Sequence, residues 1–151
     1  MTCENTCEDA VRDLAPCGLS CARCLAFVGG PVQEHAAALL DALTNFERHA
    51  GRFAAFDPVF AHYGEFQALA GWFAKGRCRG CRSGECLHGG CRVGACARER
   101  GVDFCFRCAD FPCADSGLEE PLRARWIAMN RAMAEKGPEN FHRESLTKPR
   151  Y

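Results

Sequence analysis

No window of this chain approaches the ~20 consecutive apolar residues that a membrane-spanning helix needs, so a soluble protein is expected. The N-terminal stretch "MTCENTCEDAVRDLAPCG" carries acidic residues and has no basic region followed by an apolar run. It does not read as a secretory leader, and the expected compartment is the cytoplasm. Net charge is also missing: nineteen Lys and Arg balance nineteen Asp and Glu. The whole-molecule field therefore gives no reason to expect polyanion binding or attraction to a membrane, and any partner must be recognised locally. Period-two alternation is absent too, which excludes much sheet and predicts a mainly α fold with little or no sheet. Finally, there is no nucleophile elbow, phosphate loop or paired-carboxylate motif. A case for an enzyme rests on cysteine alone, and a non-enzyme is the expectation.

Cysteine is what the chain has in excess, at 13 of 151 residues. In a reducing compartment so many thiols, odd in number, point to metal ligation or redox chemistry rather than to a disulfide framework. The length suits a single domain, 1–151, burying roughly 70% of its unfolded surface. Within it we expect an N-terminal extension at 1–14, a knuckle and two helices over 17–73, a cysteine-rich segment over 75–113, and a C-terminal helix and tail over 116–151.

Residues 31 to 50 place apolar side chains at 32, 36, 39, 40, 43 and 46, a helical stripe opened by Gly30 and Pro31 and closed by Gly51. A second helix follows Asp57 as cap and Pro58 at its first position, with Val59, Phe60, Tyr63, Phe66, Leu69, Ala70 and Phe73 on one face. These two are expected to pair antiparallel and form the core. A third stripe runs through Leu118, Leu122, Trp126, Met129 and Met133 to the "GP" at 137–138, starting at Ser116 or just before Pro121. Residues 75–113 between the second and third helices are too polar and glycine-rich for an apolar core. A loop of that length needs another source of order, and its eight cysteines supply one. A short helix at "ACARERG", stopped by Gly101, is the only regular element expected there.

Three C-x2-C pairs occur: Cys21 with Cys24, Cys78 with Cys81, and Cys105 with Cys108. Two intervening residues let the chain fold back so that both sulfurs reach one metal, at ~2.3 Å for zinc. Cys17, Cys86, Cys91, Cys96 and Cys113 remain to complete coordination, enough for two four-thiolate sites, and spacing does not say which ligands share a metal. Zinc and iron–sulfur clusters both accept four cysteines. The C-x3-C-x2-C of Cys17, Cys21 and Cys24 is similar to the cluster motif of radical enzymes that cleave S-adenosylmethionine. Their resemblance to one another lies in a partial barrel of strand and helix repeats, whereas strands are hard to find here. Nor do the downstream cysteines follow the ferredoxin run. Zinc is the expected cofactor, with an iron–sulfur cluster as the alternative.

Residues 75–113 carry Lys75 and seven arginines against four acids, a local excess that two zinc–tetrathiolate sites would cancel. We expect those arginines to offset thiolates and donate hydrogen bonds to sulfur, and Phe104, Phe106 and Phe111 to seal the sites rather than stack on bases. Nucleic acid is thus an unexpected partner, as is a membrane, and another protein is the expected one; nothing speaks to oligomeric state. His35, His49, His62 and His142 form no i, i+4 ligand pair and read as structural or surface residues. His88 alone sits among cysteines, in "ECLHGGC".

The succession "CGLSCARC", "CRGC" and "CRVGACARERGVDFCFRCADFPC" resembles a family of small cysteine-rich bacterial and archaeal proteins catalogued as a domain of unknown function. The resemblance implies that Cys17, Cys21, Cys24, Cys78, Cys81, Cys91, Cys96, Cys105, Cys108 and Cys113 are the family's metal-ligand cysteines, with zinc as the usual metal. Cys3, Cys7 and Cys86 are additions to the pattern, and Cys86 and Cys91 are alternatives for one ligand place. It implies no activity. The function expected is a metal-binding structural or interaction module; the alternatives are an iron–sulfur protein for electron transfer or redox sensing and, more weakly, a thiol-dependent enzyme. On that reading Cys3 and Cys7 lie in an exposed polar terminus.

Overall fold

The computed structural model describes residues 7–151. It is 57% helical with seven α-helices, and among the described residues there is no strand, only one isolated antiparallel bridge between Leu14 and Ser20. The fold is mainly α. No helix among these residues is long and apolar enough to cross a membrane. The chain forms two compact units, one of residues 25–77 and one in which the segment ending at Cys24 joins Cys78–Tyr151.

The 25–77 unit contains α2 (Pro31–Ala42), α3 (Glu47–Phe53) and α4 (Tyr63–Lys75). The expected single helix over 31–50 is two helices. Its stripe continues past the break, but Asn45 takes a left-handed backbone, φ 67°, which few side chains tolerate and asparagine does. Gly51 therefore lies inside α3 rather than closing a helix. Asp57 caps as expected: its Oδ1 accepts from Val59 N at 2.9 Å, and Pro58 takes the first position. What it starts is a 3-10 turn, Pro58–His62, that leads into α4. Packing of α2 on α4 organises the unit, yet Val59 and Leu69 are 62% and 58% exposed. Only small side chains, Ala26, Ala50 and Ala70, are buried here, so the expected core face is largely a surface.

The other unit holds α1 (Cys7–Asp13), α5 (Val93–Arg100), α6 (Leu122–Lys136) and α7 (Pro138–Leu146). Residues 7–13, expected as an exposed extension, are helical and pack against α7, and Ala10 is fully buried. α5 stands where "ACARERG" places it, and Gly101 at φ 62° ends it, with Val102 N bonded back to Ala97 O at 3.0 Å. This is a Schellman-type closure. α6 begins after Pro121, the later of the two expected starts. The Glu120 carboxylate accepts from Ala124 N at 3.3 Å and serves one of the first-turn amides. α7 was not expected, although Gly137 followed by Pro138 at the first helical position is its signal.

Two apolar clusters fill this unit. Ala10, Leu14, Phe104 and Met133 form one; Ala15, Cys17, Val93 and Trp126 form the other. Asn130, fully buried on α6, ties helix to loops: its Nδ2 donates to Cys17 O at 3.0 Å and its Oδ1 accepts from Phe106 N at 2.9 Å. His142 is also buried, 3.2 Å from the Asp13 carboxylate, a structural place consistent with its reading as a non-ligand.

Candidate functional site

All twelve described cysteines are free thiols, and all lie in the second unit. Cys3 lies outside the described residues. Cys7 stands half-buried on α1, not in an exposed terminus.

Four cysteines from separate pieces of chain line one small cavity. Cys96 comes from α5, Cys105 and Cys108 from the 3-10 turn after Phe104, and Cys113 from the loop beyond it. The turn explains the C-x2-C geometry: Cys108 N bonds back to Cys105 O at 3.0 Å, and Phe111 N to Cys108 O at 3.1 Å. The chain curls so that the thiols border a common space. Phe111 and Trp126, edge to face at 5.1 Å, close it. The cavity is about 20 Å³, room for a single water-sized occupant. Burial pushes the Cys105 thiol up to about 11, while the Trp126 indole N–H acts in the opposite direction by favouring its thiolate. That indole Nε1 is buried and makes no hydrogen bond of good geometry.

A second group gathers around Cys81. Its thiol is hydrogen-bonded to Cys21, which lowers Cys21 below the usual thiol range and raises Cys81, and Cys86 also bonds to Cys81. Cys81, Cys86, Cys91 and His88 line a cavity of about 130 Å³. Cys17 lies beside this group, raised to about 12 by burial and further by the charges of Cys21, Cys91 and Cys105. Gly94 permits the arrangement, because a Cβ there would stand 2.9 Å from the Cys81 carbonyl oxygen. The N-terminal turn of α5 thereby packs directly on the Cys81 turn. Gly117 has the same role at another crossing: a Cβ would overlap the Gly90 carbonyl oxygen, where Arg92 N bonds to Ser116 O at 2.9 Å.

The structure thus brings Cys96, Cys105, Cys108 and Cys113 to one cavity, and Cys17, Cys21, Cys81 and Cys91, with Cys86 and His88, to a second neighbourhood. Cys24 and Cys78 line neither cavity, though the Cys78 sulfur accepts from Gly80 N at 3.3 Å. Among the described residues no three Cys, His, Asp or Glu side chains stand close enough to hold a metal ion as they are. The arginines differ from expectation. Of those in residues 75–113, Arg79, Arg92, Arg100 and Arg107 pair with Glu85, Asp115, Asp110 and Asp103, while Arg98 donates to Cys81 O at 2.9 Å and Arg82 to Leu14 O and Asp103 O at 3.1 and 2.7 Å. Carboxylates and main-chain carbonyls are stronger acceptors than neutral thiols. Phe111 does close a thiol cavity, whereas Phe104 stacks with Phe106 in the neighbouring apolar cluster. Reading by stripe placed Trp126 on the apolar face of α6 without its place at the thiol cavity, and it missed Asn130. Asn130, a polar residue one turn beyond Trp126 on an apolar face, carried a visible signal.

Residues 13–117 match the family described as "Protein of unknown function (DUF3795)". The chain belongs to that family. The matched span contains all ten cysteines of the ordered pattern and both thiol groups, and it ends before α6. No curated protein and no solved structure matches significantly.

Proposed function

We propose that this DUF3795 protein is a zinc–thiolate module in which Cys96, Cys105, Cys108 and Cys113 hold one metal ion. One observation carries the reading: four thiols from three segments border a cavity sized for a single water-sized occupant, with no carboxylate among the described residues that line it. The donor set fits zinc, which takes four thiolates in closed structural sites. The unpartnered Trp126 Nε1 supplies an N–H for a thiolate sulfur, the kind of outer hydrogen bond that orients metal ligands. Protonated thiols have no reason to converge. Metal binding would release their protons. A second ion is assigned to the group built on the Cys21–Cys81 contact, which joins two C-x2-C pairs.

The metal's part is to cross-link chain. It ties α5, the 105–113 loop and, through Trp126, α6 into one body that presents a surface to a protein partner in a reducing compartment. The test is metal analysis of protein purified without oxygen. About two zinc ions per chain and no visible band are expected from the four-ligand rule. Stoichiometric iron with acid-labile sulfide would replace this reading by an iron–sulfur one, and metal-free protein of full stability would end both.

A further inference from the structure

Away from the thiols, the N-terminal knuckle, α6 and the chain after α7 enclose a cavity of about 130 Å³ whose charged lining is entirely basic: Arg23, Arg125, Lys148 and Arg150. Among the described residues no Asp or Glu lines it. We infer that this cavity is a binding site for a phosphate group, inorganic or carried on a small ester, held by Arg23, Arg125 and Arg150 together with the Ser20 hydroxyl. The inference is independent of the metal reading.

Two of the guanidinium groups are held in place by the backbone with donors to spare. Arg23 Nη1 and Nη2 donate to Ser145 O and Lys148 O at 2.6 and 2.8 Å. Arg150 Nε donates to Ser20 O at 3.0 Å, and the same guanidinium lies over the Tyr151 ring at 4.8 Å. A guanidinium has five N–H donors, so Arg23 retains three and Arg150 four. None of the carbonyls they meet neutralises their charge. The Arg125 guanidinium, on the exposed side of α6, makes no hydrogen bond or ion pair among the described residues. Glu144 on α7 is engaged by Lys136 at 2.7 Å and also feels Lys148.

The second observation is Ser20. It is 7% exposed, lines the cavity, and its Oγ is buried without a hydrogen-bond partner. An unpaired buried hydroxyl is costly, and an oxyanion in the cavity would pair it. Preset guanidinium forks match the oxygens of phosphate two at a time. Several cations with no Asp or Glu among the described lining residues suit a dianion better than a single carboxylate. The volume lies far below the roughly 300 to 1,000 Å³ of pockets that enclose whole ligands, so the site takes one group and leaves any ester substituent outside.

The experiment is calorimetric titration of the full chain, in its purified metal state, with inorganic phosphate, glycerol phosphate and acetate. Saturable phosphate binding is expected, with acetate weaker. Tighter binding of glycerol phosphate assigns the site to an ester; equal or weaker binding assigns it to the free ion. Arg125→Ala should weaken phosphate by about tenfold or more, the equivalent of one charge-assisted hydrogen bond, and Ser20→Ala should weaken it by less. Arg131→Ala, on the same helix and outside the cavity, should leave it unchanged. Arg125 is exposed and unpartnered, so its loss leaves the fold intact, which an unshifted melting curve verifies. Absence of saturable binding, or equal effects of Arg125→Ala and Arg131→Ala, overturns the inference.

Discussion

Residues 25–77 hold seven of the eleven phenylalanines and no cysteine; the other unit holds the remaining four and every described cysteine. Apolar content alone would place the core in the first of these, but the depth of burial is the reverse. Phe46 meets Phe53, Phe60 and Tyr63 at 5.2, 6.0 and 4.9 Å, yet Phe56 is 77% exposed. Trp126, Phe104, Leu14 and Met133 are fully buried in the glycine-rich, cysteine-rich unit. Aromatic rings on two short helices form a patch, because too little chain lies over them. Loops crossing beneath α6 form an interior, because close backbone approaches at Gly94 and Gly117 and the clamp at Asn130 let them.

The two units should differ most in their response to loss of a thiol. Cys105→Ser and Cys108→Ser should each release one metal ion and lower the melting temperature of the cysteine unit, with the double change scarcely worse than either single one because both act on one site. Structural zinc contributes on the order of 10 to 16 kcal/mol in small modules, so this is the largest effect expected. Metal content and thermal melting are the readouts. Cys7→Ser should leave metal content unaltered.

Next come the apolar interiors. Met133→Ala, at a fully buried position, should cost about 2–5 kcal/mol in denaturant unfolding. Val59→Ala, on the exposed face of the other unit, should change stability by less than about 0.5 kcal/mol. Equal costs would erase the contrast between core and patch. Asn130→Ala should follow at about 1–3 kcal/mol, since it leaves the Phe106 amide without its partner. A melt that loses cooperativity between α6 and the loops would sharpen the assignment of Asn130 as the clamp.

The smallest effect concerns Glu144. Its hydrogen bond to Lys136 lowers its pKa from the ordinary 4.5. A lowered folded-state pKa contributes stability above the unfolded value, lost as pH falls through the folded one. Lys136→Met should therefore remove a slight stabilisation at neutral pH and leave acid stability, below the lowered pKa, unchanged. The pair is exposed, so its effect is small, and melting at neutral and acid pH is the check.

What was legible in the sequence follows from local physics. The Asp57–Pro58 cap, the Gly101 stop and the C-x2-C turn at Cys105 are set by neighbouring residues and stand where spacing puts them. The helix break at Asn45 was not legible, because the apolar stripe continues across it and only backbone conformation marks it. The partition of cysteines depends on crossings between distant segments, and spacing has no access to those. That Cys21 meets Cys81, or that Trp126 closes the cavity of Cys105, follows from how α5 and α6 sit on the loops. The arginine contacts departed from expectation for a chemical reason: carboxylates and loop carbonyls compete with sulfur for donors.

The central claim is that metal, rather than apolar burial alone, holds the cysteine unit together. Hydrogen exchange before and after complete metal removal tests it most directly. Amides of residues 78–113 should lose protection while those of α2 and α4 keep theirs. Unchanged exchange across residues 78–113 after complete removal would contradict it.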